Sequence, residues 1–200
     1  MIDLPVDQDA VRKYLCDDAP DARLMTVKLG QSTDDMLDHQ QMPAPIKALC
    51  AELVAATCVL AHMLKFDGEM IIQIKSAGPV TVMVAECSSE GRIRATAQWD
   101  DIDHYTTFSE LIGKGYMAVT VDPKHGERYQ GIVPLESGSI EDCINHYFDS
   151  SEQLDTKLWL SSDATTVAGL LIQRIPDEGG SRTSTASTVC SVSGLPKPLR

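Results

Sequence analysis

Two hundred residues are enough for one substantial hydrophobic core and leave little room for a second. With 17 basic against 29 acidic residues the net charge is -12, a field that repels nucleic acid and anionic membranes and argues against either as a partner. No stretch offers the ~18 uninterrupted apolar residues of a bilayer span, and the acidic N-terminus MIDLPVDQDA lacks the apolar segment of a signal peptide. A soluble, cytoplasmic protein is therefore expected.

Aromatic residues make up only 5% of the chain, so the core must be built from Val, Ile, Leu, Met and Ala. Residues 7–16 read as a short helix capped by Asp7, with Val11, Tyr14 and Leu15 on one face. Residues 22–29 read as a strand whose apolar face is Met25, Val27 and Leu29. Ser32 or Thr33 opens a second short helix that runs through Asp38.

Residues 44–64 give the clearest signal. Ile46, Leu49, Cys50, Leu53, Thr57, Leu60, Ala61 and Leu64 recur at steps of three and four, and Val54, Ala55 and Val59 widen the apolar surface. Pro43 and Pro45 suit the helix start, and Phe66-Asp67-Gly68 its end. Strands follow at 69–75, 79–87 and 92–99, and the turns between them make an antiparallel meander. An acidic loop over 100–107 leads to a helical turn at 108–112 and two more strands at 115–122 and 128–135. A helix over 139–149 is capped by Ser139, with Ile140, Cys143, Ile144, Tyr147 and Phe148 as its apolar stripe. Strands at 156–161 and 166–175 complete the order. Helices do not alternate with strands, so the expected class is α+β: a large mixed, mostly antiparallel sheet packed on a long central helix with short helices around it.

Composition changes at Gly179. Residues 179–200 hold three basic residues, no acidic ones and eight Ser or Thr, which leaves the first 178 residues at a net charge of -15. The division is thus a folded domain over 1–178 and a tail over 179–200 that reads as disordered.

Motifs for chemistry are missing. There is no GxGxxG after a strand, no GxxxxGK[ST], no GxSxG and no HExxH, so nothing argues for an enzyme. Gly126 and Gly131 lack the Lys-Ser/Thr pair of a phosphate loop and read as a turn and a close strand crossing. Asp100, Asp101, Asp103 and His104 crowd one loop but fit no metal-loop spacing. Cys143 and His146 lie three apart on one helix, with Cys143 on the packed side. The six cysteines, Cys16, Cys50, Cys58, Cys87, Cys143 and Cys190, form no CxC or CxxC and are expected as free thiols.

Several segments, in one order, resemble the 33 kDa chaperonin family, the redox-regulated heat-shock holdases of bacteria. They are Leu64-Lys65-Phe66-Asp67-Gly68, Gly78-Pro79, Gly113-Lys114-Gly115-Tyr116, and Gly126-Glu127-Arg128-Tyr129-Gln130-Gly131 with Val133-Pro134-Leu135-Glu136. Tyr147-Phe148-Asp149-Ser150-Ser151-Glu152-Gln153-Leu154 and Gly169-Leu170-Leu171-Ile172-Gln173 follow. The resemblance runs over residues 7–176 or so. It implies an ATP-independent chaperone that binds unfolding client proteins under heat and oxidative stress, with residues 1–178 as its client-holding domain.

The family also implies a charged helical linker and a zinc domain with a CxC…CxxC set. None of those four cysteines is present, and the lone Cys190 cannot make a four-ligand site. No zinc is expected in this chain, and its holding activity is expected to be independent of oxidant. Without a linker the apolar sheet surface is expected to be open to clients or to a second copy in a homodimer; the alternative is a folded but inactive fragment. Ile71, Met83 and Trp159 are the candidate client contacts.

Overall fold

The computed structural model describes residues 9–16, 19–102, 104–136, 138–152, 155–163, 165–174, 188–191 and 193–194. The elements begin with β1 (Ala10–Cys16), β2 (Ala19–Leu29), α1 (Gln31–Leu37) and α2 (Ala44–Met63). A strand-rich middle follows, with β3 (Gly68–Ser76), β4 (Val80–Ser88), β5 (Arg92–Trp99), α3 (Phe108–Ile112), β6 (Gly115–Pro123) and β7 (Tyr129–Pro134). Then come α4 (Ile140–Tyr147), β8 (Thr156–Ser162), β9 (Val167–Arg174), β10 (Thr188–Ser191) and β11 (Ser193–Gly194).

α2 forms where the periodicity places it. Pro43 is its N-cap, and its carbonyl accepts from Ile46 and Lys47 N–H at 3.0 and 2.9 Å. The helix is apolar around most of its circumference, from Ile46 and Leu49 through Val54, Ala55 and Ala56 to Leu60 and Met63, so it must be covered on several sides. Its length and mean hydropathy of 1.7 would suffice to cross a bilayer, but protein covers it. One buried hydroxyl, that of Thr57, is satisfied by donating to the Leu53 carbonyl at 2.6 Å.

Two sheets supply the cover, where the sequence pattern suggested a single large one. The α+β class and the antiparallel pairing hold. Among the described residues the strand orders are β10-β1-β2-β9-β8 and β11-β5-β4-β3-β6-β7, and only the short β11–β5 pair is parallel. The meander of β3, β4 and β5 is present, and β6 adds to the far side of β3. The first sheet joins the two ends of the described chain, with β2 paired to β9 from Ala22↔Arg174 to Leu29↔Val167. α2 packs against strands of both sheets.

Residues 10–16, expected as a helix, form β1, with Val11 opposite Val27 and Lys13 opposite Met25. A seven-residue helix is marginal without tertiary support, and β2 offers this segment a full ladder of hydrogen bonds instead. Asp7, its proposed cap, lies outside the described residues. α1 starts at Gln31, and neither Ser32 nor Thr33 caps it. The distant Asp9 carboxylate does so, accepting from Gly30 N–H at 2.7 Å and Ser32 N–H at 2.5 Å. Gly68 does not turn the chain after α2. It opens β3, where a Cβ would lie 2.2 Å from the Asp122 carbonyl oxygen. Within the tail, Thr188–Ser191 pair with β1 and Ser193–Gly194 with β5; its other residues lie outside the description.

α4 seals an edge. Ser139 caps it, accepting from Asp142 N–H at 3.0 Å, and its hydroxyl donates back to the Asp142 carboxylate at 2.8 Å. Asn145, buried on this helix, donates to the Leu158 carbonyl at 2.9 Å and accepts from Leu158 N–H at 2.8 Å. Glu141 accepts from Leu160 N–H at 2.8 Å. The free edge of β8 is thus bonded by side chains and closed to further strands.

Asn145→Ala leaves both backbone groups of Leu158 buried without partners. It should cost about 2–6 kcal/mol in a denaturant titration, taking roughly 1–3 kcal/mol per orphaned group. At Gly131 a Cβ would meet Tyr147 Cε2 at 2.5 Å, whereas nothing lies within 4 Å at Gly138. We expect Gly131→Ala to lower stability by about 1–3 kcal/mol through overpacking, with Gly138→Ala close to neutral.

Candidate functional site

At the C-terminal end of α2, an open cavity of about 400 Å³ is lined by residues of both sheets. α2 contributes Leu60, Met63 and Leu64, the last just past its end; the second sheet contributes Met70, Val119, Val121 and Tyr129. Tyr147 and Phe148 close one side, their rings edge-on with centroids 5.5 Å apart. Leu64 and Tyr129 stand at the rim, 39% and 47% exposed, large fractions for such side chains. The Tyr147 hydroxyl donates to that of Tyr129 at 3.4 Å.

The polar corner comes from the first sheet. Arg23 Nη1 donates to the Met63 carbonyl at 3.0 Å, satisfying an exposed end of α2, and Nη2 donates to Gln173 Oε1. Gln173 is fully buried and passes the bond on, its Nε2 donating to Thr156 Oγ1 at 2.9 Å. Burial lowers the Arg23 pKa, although a guanidinium stays charged. Arg23 Nε is buried without a hydrogen-bond partner among the described residues. The cavity thus combines flexible Met and aromatic walls with one half-buried cation, which suits apolar side chains of varied shape better than one fixed ligand.

The three contacts expected from sequence do not converge. Met83 is fully buried on the inner face of β4, so it cannot touch a client in this fold. Its neighbours along the strand obey the alternation, which places it inward with Ala85 and Cys87. Ile71 is half-buried on the outer face of the second sheet, opposite Glu86 and Thr120. Trp159 is 43% exposed on the outer face of the first sheet, opposite Leu170. The cavity residues went unremarked because they come from seven separate elements. The one sequence signal that pointed to them was the pair of motifs ending in Gly131 and starting at Tyr147, which meet here.

Other chemistry does not assemble. Among the described residues no three His, Cys, Asp or Glu side chains gather as a metal site, and Asp103 of the acidic loop is not described. Cys50, Cys58, Cys87 and Cys143 are buried thiols that form no disulfide with one another. Gly126 has φ +114° in the β6–β7 turn, so the Gly126–Gly131 segment is a turn and a close approach, as its residues suggested.

The model of the Hsp33 protein family matches residues 9–196, past residue 176 where the motif resemblance stopped. The 33 kDa chaperonin of Pseudomonas fluorescens is 42% identical over 178 residues, 88% of this chain and 59% of that one. The 33 kDa chaperonin of Pseudoalteromonas translucida is 40% identical over 173 residues, 84% and 61% of the two chains. A crystal structure of the 33 kDa chaperonin from Thermotoga maritima superposes with a TM-score of 0.77 over 96% of this chain and 82% of that one. At 15% identity that likeness shows the fold alone. The architecture is therefore the two-sheet, central-helix body of a 33 kDa chaperonin. The chain belongs to the Hsp33 family, and it spans about three fifths of the length of the curated relatives it matches.

The zinc site that the family implies does not fit these residues. No CxC or CxxC is present, and the described thiols are buried on α2, β4 and α4 without a third ligand beside any pair.

An apolar dye that fluoresces on leaving water should bind the cavity. Val121→Trp, which fills it from β6, is expected to reduce that fluorescence, while Ile132→Ser on the outer sheet face leaves it unchanged. The reverse pattern would place the accessible apolar surface on the sheet.

Proposed function

We propose that this chain is an ATP-independent holdase domain of the bacterial cytoplasm that binds unfolding proteins through the cavity at the end of α2. The observation that carries this reading is the cavity itself, with its apolar walls and two exposed rim side chains. A folded protein seldom leaves such a surface open unless something binds it. The relatives' name, 33 kDa chaperonin, supports the same role. The net charge of -12 keeps a protein with exposed apolar surface soluble while it holds a client. These residues offer no family-type zinc switch, so holding should operate in the fully reduced protein.

The test is light scattering from a thermally unfolding client with the chain kept in thiol reductant. Suppression of scattering is expected without any oxidant. Suppression only after peroxide, or at no ratio, would overturn the reading. Leu64→Ser with Tyr129→Ser should weaken suppression more than Trp159→Ser; the opposite order would move the client surface to the first sheet.

One observation favours a second reading, in which a second copy occupies the open surface. β7 is an edge strand among the described residues, and Ile132 on it is 60% exposed. Concentration-dependent dimerisation in sedimentation, lost on Ile132→Lys and accompanied by absence of suppression, would favour self-association; a strict monomer would exclude it.

A further inference from the structure

The cavity at the end of α2 has an uncompensated charge. Among the described residues that line it, Arg23 is a cation and none is an Asp or Glu. The chain as a whole has the opposite balance, with 29 acidic residues against 17 basic ones. Arg23 forms no salt bridge among the described residues. Its two bonds, from Nη1 to the Met63 carbonyl at 3.0 Å and from Nη2 to Gln173 Oε1, go to neutral acceptors. A guanidinium has five N–H donors, so these bonds hold the group in place and leave donors unused. Nε is one of them, shut off from solvent and without a partner among the described residues. A half-buried cation with neither counter-ion nor full hydration is an unfavourable state, relieved when an anion arrives.

The surrounding fold keeps Arg23 there. Gln173 lies opposite it in the β2–β9 ladder, is 1% exposed, and is fixed in turn by Thr156. Swinging the guanidinium out to water would strip the Met63 carbonyl at the helix end and the Gln173 amide of their donor. A second cation is close by. Lys13 pairs with Met25 and Leu15 with Arg23, so Lys13 and Arg23 are diagonal neighbours on one face of the first sheet. Burial, and after it the charges of Arg23 and Lys65, lowers the Lys13 pKa, in keeping with a locally basic corner. Beside this corner stand the apolar walls and the exposed rim residues Leu64 and Tyr129.

We propose that the cavity, on the reading that it is the client site, selects apolar peptide segments that carry a carboxylate, and that Arg23 receives that carboxylate. The carboxylate accepts from guanidinium donors that Met63 and Gln173 leave unused, a charge-assisted contact with directional preference. The client's neighbouring apolar side chains cover Leu64, Tyr129 and Met70. An apolar segment without an acid uses the same walls and binds more weakly. General attraction cannot produce this preference, because the net charge of -12 repels anions at long range. Added salt weakens that repulsion and leaves a half-buried pair largely intact, so the preference for the acid should survive high salt.

The test uses the whole chain and two blocked, fluorescently labelled apolar pentapeptides that differ only in one Glu or Gln. Fluorescence anisotropy should show the Glu peptide binding about tenfold more tightly, the worth of a charge-assisted hydrogen bond. The difference should persist in 0.5 M salt. It should fall to about twofold or less in Arg23→Gln, with the Gln peptide bound as before. Arg174→Gln removes an exposed cation of the same sheet and should leave the tenfold difference in place. Circular dichroism checks the fold of each variant. If Arg23→Gln fails to fold, the peptide pair on the unaltered chain decides by itself. Equal affinities for the two peptides would overturn the proposal, as would a preference abolished by salt or retained in folded Arg23→Gln. Binding of decanoate with no binding of either peptide would overturn it in favour of a small amphiphile. The peptide comparison is separate from the holding assay. Suppression of client aggregation with no Glu preference sinks this proposal alone, and a Glu preference without suppression sinks the holdase reading alone.

Discussion

The structure depends on covering α2. A twenty-residue helix that is apolar on most sides cannot rest on one sheet, because one sheet hides only one face. Two sheets meet this demand, and the first of them is assembled from strands near opposite ends of the described chain, β1 and β2 with β8 and β9. Their ladder is the long-range closure of the fold, fixed by the inward set Met25, Val27 and Leu29 against Leu171 and Val167. A slip of one residue would turn that set outward, so burial of α2 also fixes the register.

The same constraint creates the candidate site. The helix ends at Leu64 in an extended conformation, and its last carbonyls need partners. Arg23 supplies one at Met63 and is itself held by Gln173 of β9. The side chains that both sheets and the two helices place around that end do not fill the space. The small residue Gly131 lets Tyr147 lie flat enough to form the wall. The motif glycines are thus explained by backbone and ring contacts. At Gly78 a Cβ would be 2.4 Å from the Ile112 carbonyl oxygen, and at Gly115 it would be 2.1 Å from that of Lys75. They mark where two turns and two strands press together, which is why they identify the family more sharply than they identify a binding surface.

The surface ion pairs contribute little by comparison. Lys47 bridges Asp34 at 2.8 Å and Asp38 at 2.7 Å, tying α1 to α2, but all three are substantially exposed and screened. Buried bonds such as those of Asn145 and Gln173 matter more, because each occupies backbone or side-chain groups that water cannot reach.

The sequence by itself determined the α+β class, the position of α2, the meander over 68–99 and the capped α4, because each rests on local periodicity or a local cap. It also determined that no CxC…CxxC set is present in these residues, since that is a matter of composition. It did not determine β1, because a seven-residue segment with mixed pattern takes whichever structure its distant partner offers. It did not reveal that Asp9 caps α1, that Met83 faces inward, or that the strands form two sheets. The cavity was decided by tertiary structure alone. Its members come from separate elements, and only the packing of both sheets around one apolar helix brings them within reach of each other.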